Sequence, residues 1–167
     1  LAKSLATIDQ LAPGRLIVGV GAGGEHEPQW RAAGADVAGR GGRLDEFLSV
    51  LPALLAGERV DHIGARLNVH TPPLAPPVSV QPPLVVGGRS DAAVRRAARF
   101  ADGWLGVWLS PAGFKRSCDE LAAFAEQYGR IATFMPKPFT TLTGNGCHFH
   151  MSLWKDGANV FLDESDA

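Results

Sequence analysis

The feature that most narrows the folds open to this sequence is a repeated unit: a short apolar run, a glycine-bearing turn, then a stretch with one apolar helical stripe. Leu16-Ile17-Val18-Gly19-Val20-Gly21 is the first such run. It reads as a parallel strand buried on both faces, with glycines after it that permit close backbone approach. Leu84-Val85-Val86 is the second, running into the flexible turn Gly87-Gly88-Arg89 and then Ser90, a natural N-cap for a helix that carries Val94, Ala97, Ala98 and Ala101 inward. Trp104 to Leu109 is the third. After it, Ser110-Pro111 supplies an N-cap and a first-turn proline for a helix running to about Tyr128, with Phe114, Cys118, Leu121, Ala122 and Ala125 as its inner stripe. Strands alternating with helices in this order predict parallel β/α units, an α/β fold.

The segments between these units read consistently with that fold. Leu1, Leu5, Ile8 and Leu11 recur at helical spacing and stop before Pro13-Gly14, so the chain opens on a helix. Leu44, Phe47, Leu48, Leu51, Leu54 and Leu55 make the clearest helical stripe, with Pro52 removing one hydrogen bond near its end. Val60 to Val69 reads as a hairpin around Gly64, and the proline-rich Thr71 to Pro83 as a connection.

Near Arg130 the periodicity changes. From Gly146 to Trp154 the sequence alternates, placing Cys147, Phe149, Met151 and Leu153 on one face and His148, His150, Ser152 and Trp154 on the other. Lys155-Asp156-Gly157 then turns the chain into Asn159-Val160-Phe161, Asp-Gly being a strong hairpin signal. The tail is therefore expected to be antiparallel β structure.

Charge and composition bound the function. With 46% hydrophobic and 20% charged residues and a formal net charge of -1, the chain has a core to bury but no basic field to gather nucleic acid or anionic lipid. Small-molecule cofactors and substrates are the expected partners. Cys118 and Cys147 are too isolated for a disulfide framework, which fits a reducing cytoplasm. No run approaches the about 20 apolar residues of a membrane span. An opening at Leu1 rather than methionine is what a fragment would show.

Several phrases in order carry a family resemblance. Leu5-Ala6-Thr7-Ile8-Asp9-Gln10-Leu11 with Gly14-Arg15, Gly19-x-Gly21, Gly42-Arg43-Leu44-Asp45-Glu46, Gly57-Glu58, Pro83-Leu84-Val85-Val86-Gly87-Gly88 and Ala101-Asp102-Gly103-Trp104 resemble the luciferase-like monooxygenases. That resemblance implies, for residues 1–130, a partial TIM-type barrel holding the later strands only, with four strands upstream and a final strand absent. It also implies that Gly87, Gly88, Arg89 and Ser90 hold the phosphate of flavin mononucleotide (FMN) or a deazaflavin coenzyme, where free amides and the helix dipole favour an anion. Without the family, the same turn reads as an ordinary strand-to-helix connection. Gly19-x-Gly21-x-x-Gly24 matches a dinucleotide fingerprint, but Glu25-His26-Glu27-Pro28 stands where the helix should begin, and that reading is rejected. Glu25, His26 and Glu27 are expected in a solvated loop at the carboxyl end of a strand, and Cys118 as an inert core thiol.

Ala132-Thr133-Phe134-Met135-Pro136-Lys137-Pro138 and Gly144-Asn145-Gly146-Cys147-His148-Phe149-His150-Met151-Ser152-Leu153-Trp154 resemble a second family, the glutamine synthetase catalytic domain, so that residues 131–167 read as a fragment of it. By that resemblance His148 ligates magnesium or manganese, His150 and Ser152 face ATP, and Gly144 lies in the loop that holds glutamate. Thr143 departs from the asparagine of many members. The acidic metal ligands upstream and the arginines downstream are also absent, and a lone histidine is a poor site for a hard divalent ion.

Three readings follow. One is a partial flavin or deazaflavin oxidoreductase, inactive by itself; another is a glutamate-ammonia ligase fragment; the third is a non-functional fusion or assembly artefact. No catalytic residue is assigned in any of them. Unpaired strand edges of a half barrel are expected to drive self-association.

Overall fold

A computed structural model describes residues 1–24, 26–134, 154–155 and 158–159. The chain divides into two compact units, Leu1–Ala132 and Thr133–Ala167. In chain order, the first unit contains α1 (Ala2–Leu11), β1 (Val18–Val20), α2 (Glu27–Ala32), α3 (Arg40–Leu55), β2 (Val60–Ile63) and β3 (Asn68–Thr71). It continues with β4 (Leu84–Gly87), α4 (Asp91–Phe100), β5 (Gly103–Leu105) and α5 (Pro111–Gln127). The second contains β6 (Trp154–Lys155) and β7 (Ala158–Asn159), paired antiparallel as the Asp156-Gly157 signal predicts.

The first unit is an α/β fold whose central sheet has the order β1-β4-β5 with both pairs parallel. Neighbours in this sheet follow chain order without a reversal. Val18, Leu84 and Val86 are buried and join Leu48, Leu51, Leu55, Val94, Ala97, Ala98 and Leu121 in one core. Their alternate neighbours point the other way. Gly19 is exposed, Val85 and Gly87 are half-buried, and Ile17 and Leu105 are 66% and 59% exposed. The helices thus cover one face of the sheet. The expectation of a first strand buried on both faces is corrected, because the described residues put no second layer over Ile17 and Gly19.

Local signals account for most boundaries. Ser90 Oγ accepts from the Ala93 amide at 3.3 Å and Ser110 Oγ from the Gly113 amide at 3.1 Å, so both expected N-caps form. The hairpin β2-β3 forms across Gly64 to Leu67, where the Gly64 amide donates to the Leu67 carbonyl at 3.0 Å. Pro52 lies inside α3, which nevertheless runs on to Leu55. Its carbonyl accepts from the Ala56 amide and from Gln81 Nε2 at 2.6 Å.

Two stripes are rolled from their expected faces. In α1 the buried residues are Leu5, Ala6 and Asp9, while Ile8 and Leu11 are exposed. The cause is Asp9, fully buried, whose carboxylate accepts from the Gly14 amide at 3.1 Å and the Ser79 amide at 2.6 Å. In α5 the buried residues are Ser117, Leu121 and Ala125, and Cys118 is half-buried. Phe114 stacks on Trp104 with ring centroids 5.8 Å apart, which draws it out of the expected stripe. The third strand is shorter than expected, ending at Leu105 before Gly106. A Cβ on Gly106 would lie 2.7 Å from the Trp104 ring and 2.9 Å from Leu109, so the loop turns back where only glycine fits. Ile131 to Phe134 form no strand, and Ile131 is 94% exposed.

Candidate functional site

Because β1, β4 and β5 are parallel neighbours, the segments that follow them emerge at one end of the sheet. There the wall carries few side chains. A Cβ on Gly21 would lie 3.8 Å from the Gly87 carbonyl, and one on Gly87 would lie 3.7 Å from the Val20 carbonyl. Gly88 has φ 142°, and a Cβ on it would meet the Ala93 Cβ at 2.7 Å, so this turn requires glycine for both conformation and space.

The turn is held from both sides. Its Gly88 amide donates to the Leu105 carbonyl at 3.0 Å, and Trp104 Nε1 donates to the Gly88 carbonyl at 2.9 Å. Gly88 therefore offers no free N–H, contrary to its expected part in an anion site. The amides of Arg89, Ser90, Asp91 and Ala92 have no partner among the described residues. They open α4, where the helix dipole favours negative charge. Asp91, in the first turn, offsets part of that field.

Arg89 is exposed and makes no ion pair or hydrogen bond among the described residues; its guanidinium lies over the Trp108 ring, 5.7 Å from the centroid. Trp108 has φ 51° and is 89% exposed. For a bulky residue this backbone costs about 1–3 kcal/mol. An exposed cation–π contact returns only about 0.5–1 kcal/mol. The sequence gives no sign of this residue's conformation, since left-handed φ is a glycine and asparagine habit.

The other expected residues fall elsewhere. Glu25 lies outside the described residues. His26 is exposed at the start of α2, and Glu27 pairs with Arg31 at 2.8 Å. A short helix does follow the glycine fingerprint, and Glu27-Pro28 was its unrecognised start signal. The dinucleotide reading still fails. Gly23 is filled by Trp30, whose ring would be 2.5 Å from a Cβ there, and the Gly24 carbonyl accepts from Trp30 Nε1 at 2.8 Å. Moreover, α2 buries no residue under the sheet. Cys118 has its thiol pushed up by burial, the direction of an inert group rather than a nucleophile. Gly144, His148, His150 and Ser152 lie outside the described residues.

The glycine turn borders neither of two hollows lined by described residues. One of about 370 Å³ lies beside α2, lined by residues that include Trp30, Arg31 and Asp36. The other, about 240 Å³, lies at the amino ends of the strands among Val18, Leu84, Phe100, Asp102 and Arg130. Barrel enzymes keep their chemistry at the carboxyl ends. The described residues contain no group of three or more His, Cys, Asp or Glu side chains able to hold a metal ion. No helix among them is long and apolar enough to cross a membrane.

Many resemblance-bearing residues prove to build the frame. Asp45 pairs with buried Arg96 at 2.6 Å, and a Cβ on Gly41 would crowd that guanidinium at 3.0 Å. Glu46 accepts from the Arg66 and Leu67 amides at 2.9 and 2.7 Å, closing the β2-β3 turn. Asp102 accepts from the Leu84 amide at 2.9 Å and donates its own amide to the Leu84 carbonyl at 2.8 Å, fixing β4 beside β5.

Comparison with known proteins agrees with this architecture. An uncharacterised protein of Mycobacterium bovis is 30% identical over 135 residues, 80% of this chain and 46% of that one. The chain thus spans about half of that relative's length. Glutamine synthetase of Pyrococcus furiosus is 62% identical over 42 residues, 25% of this chain and 10% of that enzyme, a short local match. Two solved structures share the fold. Coenzyme F420-dependent tetrahydromethanopterin reductase from Methanopyrus kandleri has a TM-score of 0.65 at 22% identity, covering 78% of this chain and 42% of that one. Riboflavin lyase, solved with modified FMN and riboflavin, has a TM-score of 0.69 at 19% identity, covering 78% and 35%. The sequence profile of the luciferase-like monooxygenases matches residues 1–144, running past Arg130 into the tail. With the parallel sheet, the glycine turn and the frame residues in place, this chain belongs to the luciferase-like monooxygenase family.

Proposed function

We propose that the first unit supplies the later β/α units of a partial TIM-type barrel that binds FMN or a deazaflavin coenzyme by its phosphate, as part of a flavin- or deazaflavin-dependent oxidoreductase. The observation that carries this reading is the combination of a side-chain-free wall at Gly21 and Gly87 with four amides and an arginine at the start of α4 that have no hydrogen-bond or ion-pair partner among the described residues. A phosphate suits such a place because oriented N–H groups, a helix dipole and a guanidinium all favour dianionic oxygen. The cofactor-dependent enzymes that share the fold support the choice of ligand.

When bound, the cofactor would supply the hydride-transfer or oxygen-insertion chemistry itself. The residues of this chain bind and orient. The Arg89 to Ala92 amides and the Arg89 side chain take the phosphate, while Gly21 and Gly87 let the ligand approach the backbone. As part of a barrel it supplies only part of the pocket, so the chain by itself holds a cofactor without turning over substrate. It holds a small-molecule cofactor in a reducing cytoplasm, and it associates with itself through the edges of β1 and β5, which are unpaired among the described residues.

Titration with FMN and with riboflavin, which lacks the phosphate, tests the reading. Arg89→Ala is expected to weaken FMN about tenfold while leaving riboflavin nearly unchanged, the loss of one charge-assisted contact. Equal affinity for FMN before and after the substitution would contradict it.

A second reading rests on the resemblance of residues 131–167 to the glutamine synthetase catalytic domain, with a short stretch of 42 residues of this chain 62% identical to such an enzyme. It gives His148 a magnesium or manganese ion, His150 and Ser152 the nucleotide, and Gly144 the glutamate loop. Magnesium-dependent ATP binding lost in His148→Ala would support it, and its absence in the wild-type chain would dismiss it.

A further inference from the structure

We infer that a second copy of this chain closes the open wall: two copies form a ring about an axis parallel to the strands, with the β1 edge of each beside the β5 edge of its partner and α1 against the partner's α5. The arrangement rests on the self-association proposed above, and it names the surfaces that meet and the number of copies.

Three surfaces of the first unit lack cover among the described residues. The first is the open face of the sheet, where the strand register sets Gly19, Val85 and Gly103 in one row, Ile17 before it, and Gly87 and Leu105 after it. None of these side chains is charged or hydrogen-bonding, so a like face can oppose it without burying a charge or an unpaired polar group. The second is the pair of outer strand edges, one on β1 and one on β5. The third lies in the helix layer, whose packing order α1-α3-α4-α5 leaves α1 and α5 at its two ends. On α1, Leu1, Ile8 and Leu11 are exposed, Leu11 at 84%. At about 100° per residue this stripe lies roughly 120° around the helix from buried Leu5, Ala6 and Asp9, so it faces sideways, toward the place of a next helix in the layer. On α5, Phe114 and the C-cap residue Tyr128 are exposed, Tyr128 at 48%.

Symmetry decides which arrangement covers all three. A two-fold axis parallel to the strands keeps every strand parallel, gives each β1 edge a β5 partner, turns both open faces inward and brings each α1 beside an α5. A two-fold axis perpendicular to the strands pairs β1 with β1 and leaves both β5 edges open. An antiparallel pair such as β6-β7 offers a parallel neighbour to one edge at most. The chain spans 42% of the coenzyme F420-dependent reductase that shares its fold, so two copies approach one such chain in length. Within the ring α1 and the partner's α5 run the same way. Leu11 ends α1 ahead of β1, and Arg130, two residues past Tyr128, donates to the Ala101 carbonyl ahead of β5 at 2.6 Å. Leu11 and the partner's α5 end at Tyr128 therefore stand at one level.

The test is sedimentation of the full chain as wild type, Leu11→Glu, Tyr128→Lys and the double variant, with thermal melting as the control for folding, since both positions are exposed. Wild type is expected to reach a dimer and nothing larger as concentration rises. Each single substitution should raise the Kd of the dimer about tenfold or more, the scale of one interface anchor, and the double variant should recover most of the loss by setting Glu against Lys. Species that keep growing past the dimer overturn the closed ring and leave self-association standing. A dimer indifferent to Leu11→Glu, or a double variant no better than the single ones, overturns the α1-α5 joint. A monomer whose β1 and β5 edge amides resist hydrogen exchange overturns the second copy in favour of the tail as cover. A monomer with unprotected edges overturns the ring and the self-association together. A wild-type dimer that responds as expected but binds no FMN upholds the ring and removes the cofactor reading alone.

Discussion

Asp9 shows how one residue can set the face of a helix. It is fully buried, and hydrogen bonds from the Ser79 backbone and side chain, with a smaller contribution from the Gly14 amide, hold its carboxyl below the usual carboxylate range against the opposing effect of burial. Its folded pKa therefore lies below the unfolded value of about 3.9. The linked stability is fully present above that value and disappears as pH falls through the folded one. Asp61, lowered by its hydrogen bond from Arg59, behaves in the same sense. Melting curves from pH 6 down to pH 3 are therefore expected to show a loss of stability below about pH 4, shallower in Asp9→Asn, which should also melt lower at pH 6. An identical pH slope in the two proteins would remove Asp9 from the account. Nothing in the apolar pattern marks Asp9, because its partners stand 5 and 70 residues away. Ser90 and Ser110 are plain in the sequence, since a cap bonds an amide three residues on. Trp108 is not, because its conformation is imposed by the loop and not by its residue type.

Among the elements, α3 and α4 are joined by a polar tie within an otherwise apolar contact. Arg96 is 7% exposed and reaches Asp45 with Nε at 2.6 Å and Nη2 at 3.2 Å, and the Gly41 carbonyl with Nη2 at 3.2 Å. Removing the arginine leaves the carbonyl and both carboxylate oxygens of Asp45 without this partner, but Asp45 retains solvent contact, so the cost stays below that of a fully buried pair. Arg96→Met, which keeps most of the volume, is expected to destabilise the first unit by about 1–3 kcal/mol in denaturant unfolding. A change under about 0.5 kcal/mol would show the tie to be dispensable. Elements with strong local signals were readable in advance: α4 by its alanine stripe, α5 by Ser110-Pro111, and β2-β3 by Gly64. The shortening of β5 was not, since it depends on Trp104 and Leu109 closing over Gly106. The six-residue α2 leaves no mark in the apolar pattern, having too few turns to show a stripe and burying no side chain.

For the whole molecule, the decisive property is the uncovered face of the parallel sheet, with Ile17 and Leu105 exposed and both outer strand edges unpaired among the described residues. Such edges template pairing with other chains. The purified chain is expected to sediment as a concentration-dependent oligomer, whereas a single monomeric species across a wide concentration range would contradict that. The order of β/α units was visible from their repetition, but which face lay open was not. An apolar run such as Leu16 to Val20 has the same pattern whether one layer or two cover it. The account as a whole turns on a cofactor phosphate at the start of α4. Amide hydrogen exchange tests this most directly, because the unpartnered Arg89 to Ala92 amides should exchange rapidly in the free chain and slow when a ligand accepts from them. With FMN bound, protection is expected in the segment from Leu84 to Val94. No protection there, or protection confined to Glu27 through Val37, would contradict the account.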